Sequence, residues 1–254
     1  MKVSVSASLG WAMVASFLVL GSCLPAAVVF ADDENLNRRL PLKSGGRLTI
    51  ENTQGDIRIS SWDEDEVELR AEISSDSEEE RSLVPVEIDA KDDEIRISSL
   101  YPVYAPKLKV QVDYRLRVPR ETDLKLIKSM NGDISVSGVS GRAKVEVGNG
   151  EINIKGFSGF LKATATNAEI EVEISRINEA GHVEIENYNG DISFRLPRST
   201  KAYWLVKTMN GHIDSTIPFT IEDDFGPEVA RLDGAEEPVI HIYSINGDIR
   251  IEER

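Results

Sequence analysis

Apolar and polar residues alternate with a period of two along most of the chain. Residues 66–73 and 170–174 show the pattern clearly, with an aliphatic side chain at every second position and mostly glutamate between. This period predicts β-strands that bury one face and expose the other. No stretch after residue 31 keeps apolar residues at helical spacing over three turns, so we expect an almost all-β protein.

A short pattern of amide, small, polar residue and isoleucine recurs between the predicted strands. The copies begin at Gln54, Asn131, Asn149, Asn167, Asn189, Asn210 and Asn246, and Asp92-Asp93-Glu94-Ile95 resembles a degenerate copy. Successive copies are 77, 18, 18, 22, 21 and 36 residues apart. The near-constant spacing predicts a repeat architecture, with about ten units if the long gaps hold further copies.

Each repeat of 18 residues holds two predicted strands, one before the Asn-Gly corner and one before a Gly-x-Ser-Gly corner such as Gly138–Gly141. Two architectures fit this arrangement. In a β-solenoid each unit of 18 to 22 residues is one coil, and the corners stack. In an antiparallel β-sandwich or meander, each Asn-Gly is instead a hairpin turn. We expect the β-solenoid, because a single meandering sheet would have nowhere to bury its apolar face.

The β-solenoid predicts that consecutive Asn-Gly corners lie in a column. Its asparagines would be about 5 Å apart, with the corner isoleucines buried behind them. The region from 39 to 128 is less regular. In residues 108–118 apolar and polar side chains alternate over a length too great for one side of a small coil, so we expect antiparallel sheet there. Together, residues 32–254 are expected to form a single elongated domain, most regular from 129 to 254.

The first 31 residues have the pattern of a secretory signal peptide. Lys2 precedes an uncharged stretch from 11 to 31, and the acidic run 32–34 follows. We place cleavage after Ala31. Two alternatives use the same residues: a lipobox ending at Cys23, which would give a lipoprotein anchored there, and an uncleaved membrane span. Each puts the folded region outside the cytoplasm, in the periplasm, on the cell surface or in the medium.

Composition and charge exclude several classes of function. The chain has 29 Lys and Arg against 44 Asp and Glu, a formal charge of -15. Nucleic-acid binding is not expected, since it needs clustered cations. The single cysteine, Cys23, permits neither an intrachain disulfide nor a thiolate zinc site. Contact with a membrane is expected only through an N-terminal lipid or signal anchor.

Acidic residues recur directly after the corner glycines. They are Asp56, Asp133, Glu151, Glu169, Asp191 and Asp248. Such a column could serve a carbohydrate-active enzyme of the β-helix type, or it could bind calcium. Catalysis, however, needs two carboxyls in unlike environments, which equivalent repeats do not supply. Calcium would need more than one acid per unit. We expect these residues to satisfy turn hydrogen bonds and face water.

The remaining candidate side chains do not form a recognisable site in the sequence. His182, His212 and His241 lack the paired spacing of a zinc site, and the Gly-x-Ser-Gly corners lack the helix that follows a nucleophile elbow. Six aromatic residues could form either a carbohydrate platform or part of the core: Trp62, Tyr101, Tyr104, Tyr188, Tyr203 and Trp204. We therefore predict no catalytic, cofactor or metal residues, and no cofactor.

The chain resembles the bacterial putative-adhesin family of β-strand repeats, a domain family of unknown function. The resemblance rests on the opening at 46–52, the segments 61–67 and 114–119, and the Gly-polar-Ile ladder that follows. It implies an extracytoplasmic β-helical domain without established catalytic residues. We therefore expect an exported noncatalytic adhesin or cell-envelope interaction domain, whose partner would be an envelope protein or a polysaccharide.

Overall fold

The computed structural model describes residues 27–29, 35–91, 93–104, 108–177, 181–198, 200–222, 227–232 and 238–254. They form an all-β protein with one short helix, α1 (Glu78–Ser82). The strands are β1 (Ala27–Val29), β2 (Asn35–Pro41), β3 (Arg47–Gln54), β4 (Ile57–Trp62), β5 (Glu66–Ser74), β6 (Val86–Lys91), β7 (Glu94–Ser99), β8 (Gln111–Pro119), β9 (Asp123–Asn131), β10 (Ile134–Ser137), β11 (Ser140–Arg176), β12 (His182–Asn189), β13 (Ile192–Leu196), β14 (Tyr203–Asn210), β15 (Ile213–Ser215), β16 (Thr220–Glu222), β17 (Glu228–Leu232), β18 (Val239–Asn246) and β19 (Ile249–Glu253). No helix in the described ranges is long and apolar enough to cross a membrane.

Two parallel ladders organise the strands. The first ladder contains the strands that lead into a corner, in the order β7, β3, β9, two segments of β11, β12, β18 and β14. The second ladder contains the strands that follow a corner, in the order β8, β4, β10, two segments of β11, β13, β19 and β15. A meander of hairpins would make these pairings antiparallel.

One strand from each ladder forms a level, and the described residues contain eight levels. The estimate of about ten is therefore wrong. Between Gln54 and Asn131 the chain leaves the column and returns to the neighbouring level, since Asn131 Nδ2 donates to the carbonyl of Thr53. The long gap holds one further level, β7 and β8, together with antiparallel strands.

The order of levels differs from the order in sequence at both ends. The level formed by β3 and β4 lies between β7/β8 and β9/β10. The level formed by β18 and β19, the last in the chain, lies between β12/β13 and β14/β15. The outermost levels are therefore built from internal segments of the chain.

Antiparallel strands cover the edges of the outermost levels. At one end β5 pairs with β8, β2 pairs with β5, and β6 pairs with β7. At the other end β17 pairs with β14, and β16 pairs with β17. The expected antiparallel sheet before residue 128 is thus present, but parallel strands accompany it. Three of the four outermost strands, β7, β8 and β14, are therefore covered against edge-to-edge aggregation, whereas β15 pairs only with β19 among the described strands.

A single apolar core lies between the two ladders. The corner isoleucines at 134, 152, 170, 192 and 213 are all buried, as expected. At one end Trp204, which is 1% exposed, packs edge-to-face against Phe194 and Phe219. Alternate residues of every level thus remove apolar surface from water, which is the main stabilising contribution.

The predicted leader lies almost wholly outside the described residues, including Cys23 and the cleavage position after Ala31. Its one described segment, β1, pairs antiparallel with β6 from Val86 to Ile88. Cleavage and lipid attachment therefore stay predictions.

Candidate functional site

The corner asparagines form a continuous ladder of side-chain amides. Each Nδ2 donates to the Oδ1 of the next residue at 2.7–2.9 Å, in the order Asn210, Asn246, Asn189, Asn167, Asn149, Asn131. The predicted column is therefore present. The predicted order of the asparagines is wrong at one place, because Asn246 lies between Asn189 and Asn210. Stacked amides of this kind satisfy one another and hold the register of the strands.

The corner aspartates bond the backbone of the neighbouring level. Oδ1 of Asp56 accepts from the amide of Asp133 at 3.0 Å, and Oδ1 of Asp133 accepts from the amide of Glu151 at 2.9 Å. Asp191 and Asp248 repeat this bond near the other end, at 2.9 Å each. These aspartates thus accept backbone hydrogen bonds, but the expectation that the bonds lie within the turn is wrong, because each partner amide belongs to the next level.

The two corner glutamates differ from the aspartates. Glu151 and Glu169 are exposed, and their carboxylates make no hydrogen bond to any described residue. The extra methylene of glutamate moves the carboxylate away from the amide above it. Aspartate is therefore structural in this column, whereas glutamate is free to contact solvent or a partner.

One member of the aspartate column, Asp113, does not follow the repeat pattern in the sequence. Oδ1 of Asp113 accepts from the amide of Asp56 at 2.8 Å, and Tyr114 pairs with Ile57. Gln111-Val112-Asp113-Tyr114 is thus the hidden copy, disguised by valine for glycine and tyrosine for isoleucine. The proposed copy ending at Ile95 was wrong, because Ile95 pairs with Leu48 in the first ladder and not at a corner.

Buried polar side chains support the corners from inside. Asn52 Nδ2 donates to the carbonyls of Gln54, Gly55 and Val112, and Asn187 Nδ2 donates to those of Ala168 and Gly190. These bonds satisfy backbone oxygens that the tight corner turns away from the ladders. Polar side chains therefore stabilise the corners from both sides of the backbone.

The histidines do not assemble into a metal site. The rings of His182 and His241 are 5.8 Å apart and edge-to-face on the outer side of the first ladder. His212 lies elsewhere, with its Nδ1 3.3 Å from Oε1 of Glu228. Across the part of the chain that the structure describes, no group of three or more His, Cys, Asp or Glu side chains is placed to hold a metal ion.

The aromatic candidates are distributed over the whole molecule. Trp204 is in the core, whereas the Trp62 ring lies 4.4 Å from the guanidinium of Arg117 near the opposite end. Tyr101 is half-buried and donates to the carbonyl of Val110 at 3.0 Å; burial raises the pKa of its phenol. Tyr104 is 96% exposed. The structure does not bring these rings together into a platform.

Ion pairs within and between strands keep several carboxylates ionised. Hydrogen bonds from a neighbouring cation lower the pKa of four glutamates. The pairs are Glu68 with Arg117, Glu94 with Arg96, Glu146 with Lys144, and Glu171 with Arg195.

Two open grooves lie side by side on the outer face of the second ladder. The arginine groove, about 560 Å³, is lined by Arg58, Arg70, Arg115, Arg117, Glu68 and the hydroxyls of three serines. The acidic groove, about 370 Å³, is lined by Glu151, Glu169, Glu171, Asp191, Asp248, Arg195 and Arg250, with Asn153 and Ser193. Their charged residues sum to +3, from four arginines and one glutamate, and to -3, from five acids and two arginines.

Comparison with known proteins gives one match over nearly the whole chain. The family model described as Toastrack DUF4097 matches residues 1–252, which confirms the family resemblance inferred from the repeats. No curated protein matches the chain.

Solved structures give more distant similarities. A putative cell adhesion protein from Clostridium sporogenes is 13% identical with a TM-score of 0.44, over 87% of this chain and 100% of that chain. A putative adhesin from Bacteroides fragilis is 13% identical with a TM-score of 0.37, over 88% and 98%. A putative lipid binding protein from Parabacteroides distasonis is 9% identical with a TM-score of 0.31, over 86% and 97%. Similarities this low carry no argument about function.

Proposed function

Because this chain belongs to the Toastrack DUF4097 family and its repeats pair in parallel, we propose that it is an exported β-solenoid that binds or scaffolds without catalysis. The observation that carries the proposal is the use of the corner aspartates. The most conspicuous acids of the sequence accept hydrogen bonds from backbone amides, so their repetition serves the stack of levels.

The β-solenoid interpretation is supported by the two ladders. Each level passes once through both, and its apolar side chains meet in a common core. Residues 32–254 would then form one elongated domain in which each level contacts chiefly its neighbours, as in other repeat proteins. Such a stack offers broad, flat outer faces and no deep cleft.

A noncatalytic role is supported by the electrostatics of those faces. The carboxylates with a resolved change in pKa all lie beside cations that keep them ionised. Both grooves are open to solvent, and apart from Glu151 and Glu169 their charged side chains already form ion pairs or hydrogen bonds to a neighbouring level. Catalysis at a carboxyl pair would need water-excluding surroundings and unlike pKa values.

Export is proposed from the leader sequence alone. A reporter fused after residue 40 should leave the cytoplasm, and mass spectrometry should find Asp32 at the mature N-terminus. A lipid-modified Cys23 would instead show a tethered lipoprotein, and a cytoplasmic reporter would contradict the proposal.

The proposed function is tested by incubating the purified exported protein with a panel of acidic and neutral cell-envelope glycans. Binding without product formation is expected. Turnover that disappears in Glu169→Gln but survives in the matched variant Glu51→Gln, on the opposite outer face, would contradict the noncatalytic role. Glu169 is the informative position because its carboxylate is exposed and unbonded within the described residues.

A further inference from the structure

The outer face of the second ladder has an unequal distribution of charge. The arginine groove is formed by β5, β8, β4 and β10, and the acidic groove by the two β11 segments, β13 and β19. Their centres are therefore four strands apart, about 19 Å at 4.8 Å per strand. Lining charges that sum to +3 and to -3 thus adjoin on one sheet face, with Asp56 and Glu72 beside the first groove and Lys155 beside the second.

We propose that this face binds a second copy of the same chain, with each arginine groove placed against the acidic groove of the other copy. A two-fold axis that lies in the interface, parallel to the strands and midway between the grooves, produces both contacts at once. Such an isologous arrangement is the commonest symmetry of homodimers. This proposal rests on the proposed noncatalytic binding function and identifies the binding partner as a second copy of the chain.

The surface at the proposed axis permits close approach. The outward positions of the two central strands are Ser135, Ser137, Asn153 and Lys155. Lys155 is 55% exposed, and its Nζ lies 3.7 Å from Oε2 of Glu171 in the acidic groove. The other three side chains are short and permit close approach. Their hydroxyl and amide groups can bond across the interface or through water.

The arginines remain available for a partner. Arg58 and Arg115 are 48% and 56% exposed, and their ion pairs with Asp56 and Glu72 measure 2.7 and 3.4 Å. Exposed pairs of this kind are weak, so exchanging or sharing an acidic partner costs little. In the acidic groove, Glu151 and Glu169 have no hydrogen-bonded partner within the described residues and are free to supply the opposite charge.

A second copy fits this face better than a polyanion does. An acidic polysaccharide in the arginine groove would lie beside five acids, on a chain of formal charge -15. A second copy complements both grooves together. Eight strands and four to five residues give a face of about 38 by 15 Å, roughly 570 Å² per partner, against about 800 Å² in a standard interface. The association is therefore weak and reversible, and copies displayed side by side would strengthen it.

Paired charge reversals test this arrangement by sedimentation equilibrium of the exported protein. Arg58→Glu with Arg115→Glu makes both grooves acidic, and Glu151→Lys with Glu169→Lys makes both basic. Each double variant alone should self-associate about 16- to 80-fold more weakly, from a factor of two to three at each of four altered contacts. An equimolar mixture of the two should recover association as a heterodimer. Loss through misfolding would not be restored by mixing.

The matched control is Glu51→Lys with Glu186→Lys, which changes the charge equally on the outer face of the first ladder. It should self-associate like the wild type. A monomeric wild type at all concentrations, or a mixture that does not associate, would overturn the proposal. Binding of polygalacturonate by a monomeric wild type, lost in Arg58→Glu with Arg115→Glu, would also overturn it while leaving the proposed binding function intact.

Discussion

Replacing Asp133 with alanine tests whether the corner acids are structural. The change removes the acceptor for the amide of Glu151, a bond of 2.9 Å, and leaves the apolar core untouched. Hydrogen bonds to a charged group contribute about 1.5–3 kcal/mol. Because this bond is exposed to water, we expect a loss near the lower end, about 1.5 kcal/mol, or roughly 3–6 °C in the unfolding midpoint.

Urea unfolding followed by circular dichroism measures this loss as a lower midpoint concentration at unchanged slope. Asp133→Asn keeps an acceptor oxygen and should lose less than half as much. The control is Glu151→Ala one level away, which removes an exposed carboxylate without a described partner and should change stability by less than about 0.5 kcal/mol. Equal losses for Asp133→Ala and Glu151→Ala would refute the structural role of the aspartates.

Three further changes test the core, the corners and the ion pairs. Ile170→Asp places a charge at a site that is 1% exposed, so the purified variant should show no cooperative thermal unfolding transition. Gly132→Ala should lower the free energy of unfolding in urea by at least about 2 kcal/mol, because φ is +142° and a Cβ would lie 2.2 Å from the carbonyl oxygen of Gly55. The control Gly45→Ala, where φ is +81° and the space is open, should lower it by roughly 1 kcal/mol. The ion-paired glutamates should contribute stability that is fully present above their ordinary pKa of 4.5 and is lost as the pH falls through the lowered pKa values of the folded state. Thermal unfolding between neutral and acidic pH measures this contribution, and an unfolding midpoint that rises on acidification would contradict it. The carboxylates concerned are Glu68, Glu94, Glu146 and Glu171.

Much of the repeat region could be predicted from sequence, because period-two alternation and stacked corners are local signals. The asparagine column and the buried isoleucines behind it follow from those signals alone. The two grooves could not be predicted in this way. They depend on which outward side chains become neighbours across strands, and Arg58 meets Arg115 only because β8 pairs with β4.

The order of the levels could not be predicted from the spacing of the repeats either. The 36 residues from Asn210 to Asn246 equal two repeats, which suggested two more levels in line. The chain instead uses that length for the antiparallel strands β16 and β17 and then inserts its last level. In the structure Asp56 and Asp113, like Asp191 and Asp248, lie on adjacent levels although they are 57 residues apart.

Every outer face described above depends on that order, and disulfide cross-linking measures it directly. Tyr243 on β18 pairs with Glu186 on β12 and with Lys207 on β14. Adjacent strands place paired Cα atoms about 4.8 Å apart, within the range of a disulfide, whereas positions two strands apart are about 9.6 Å apart and outside it. With Cys23 replaced by serine, Glu186→Cys and Lys207→Cys should each cross-link to Tyr243→Cys but not to one another. A disulfide between positions 186 and 207, without one to 243, would show levels stacked in sequence order and contradict the account.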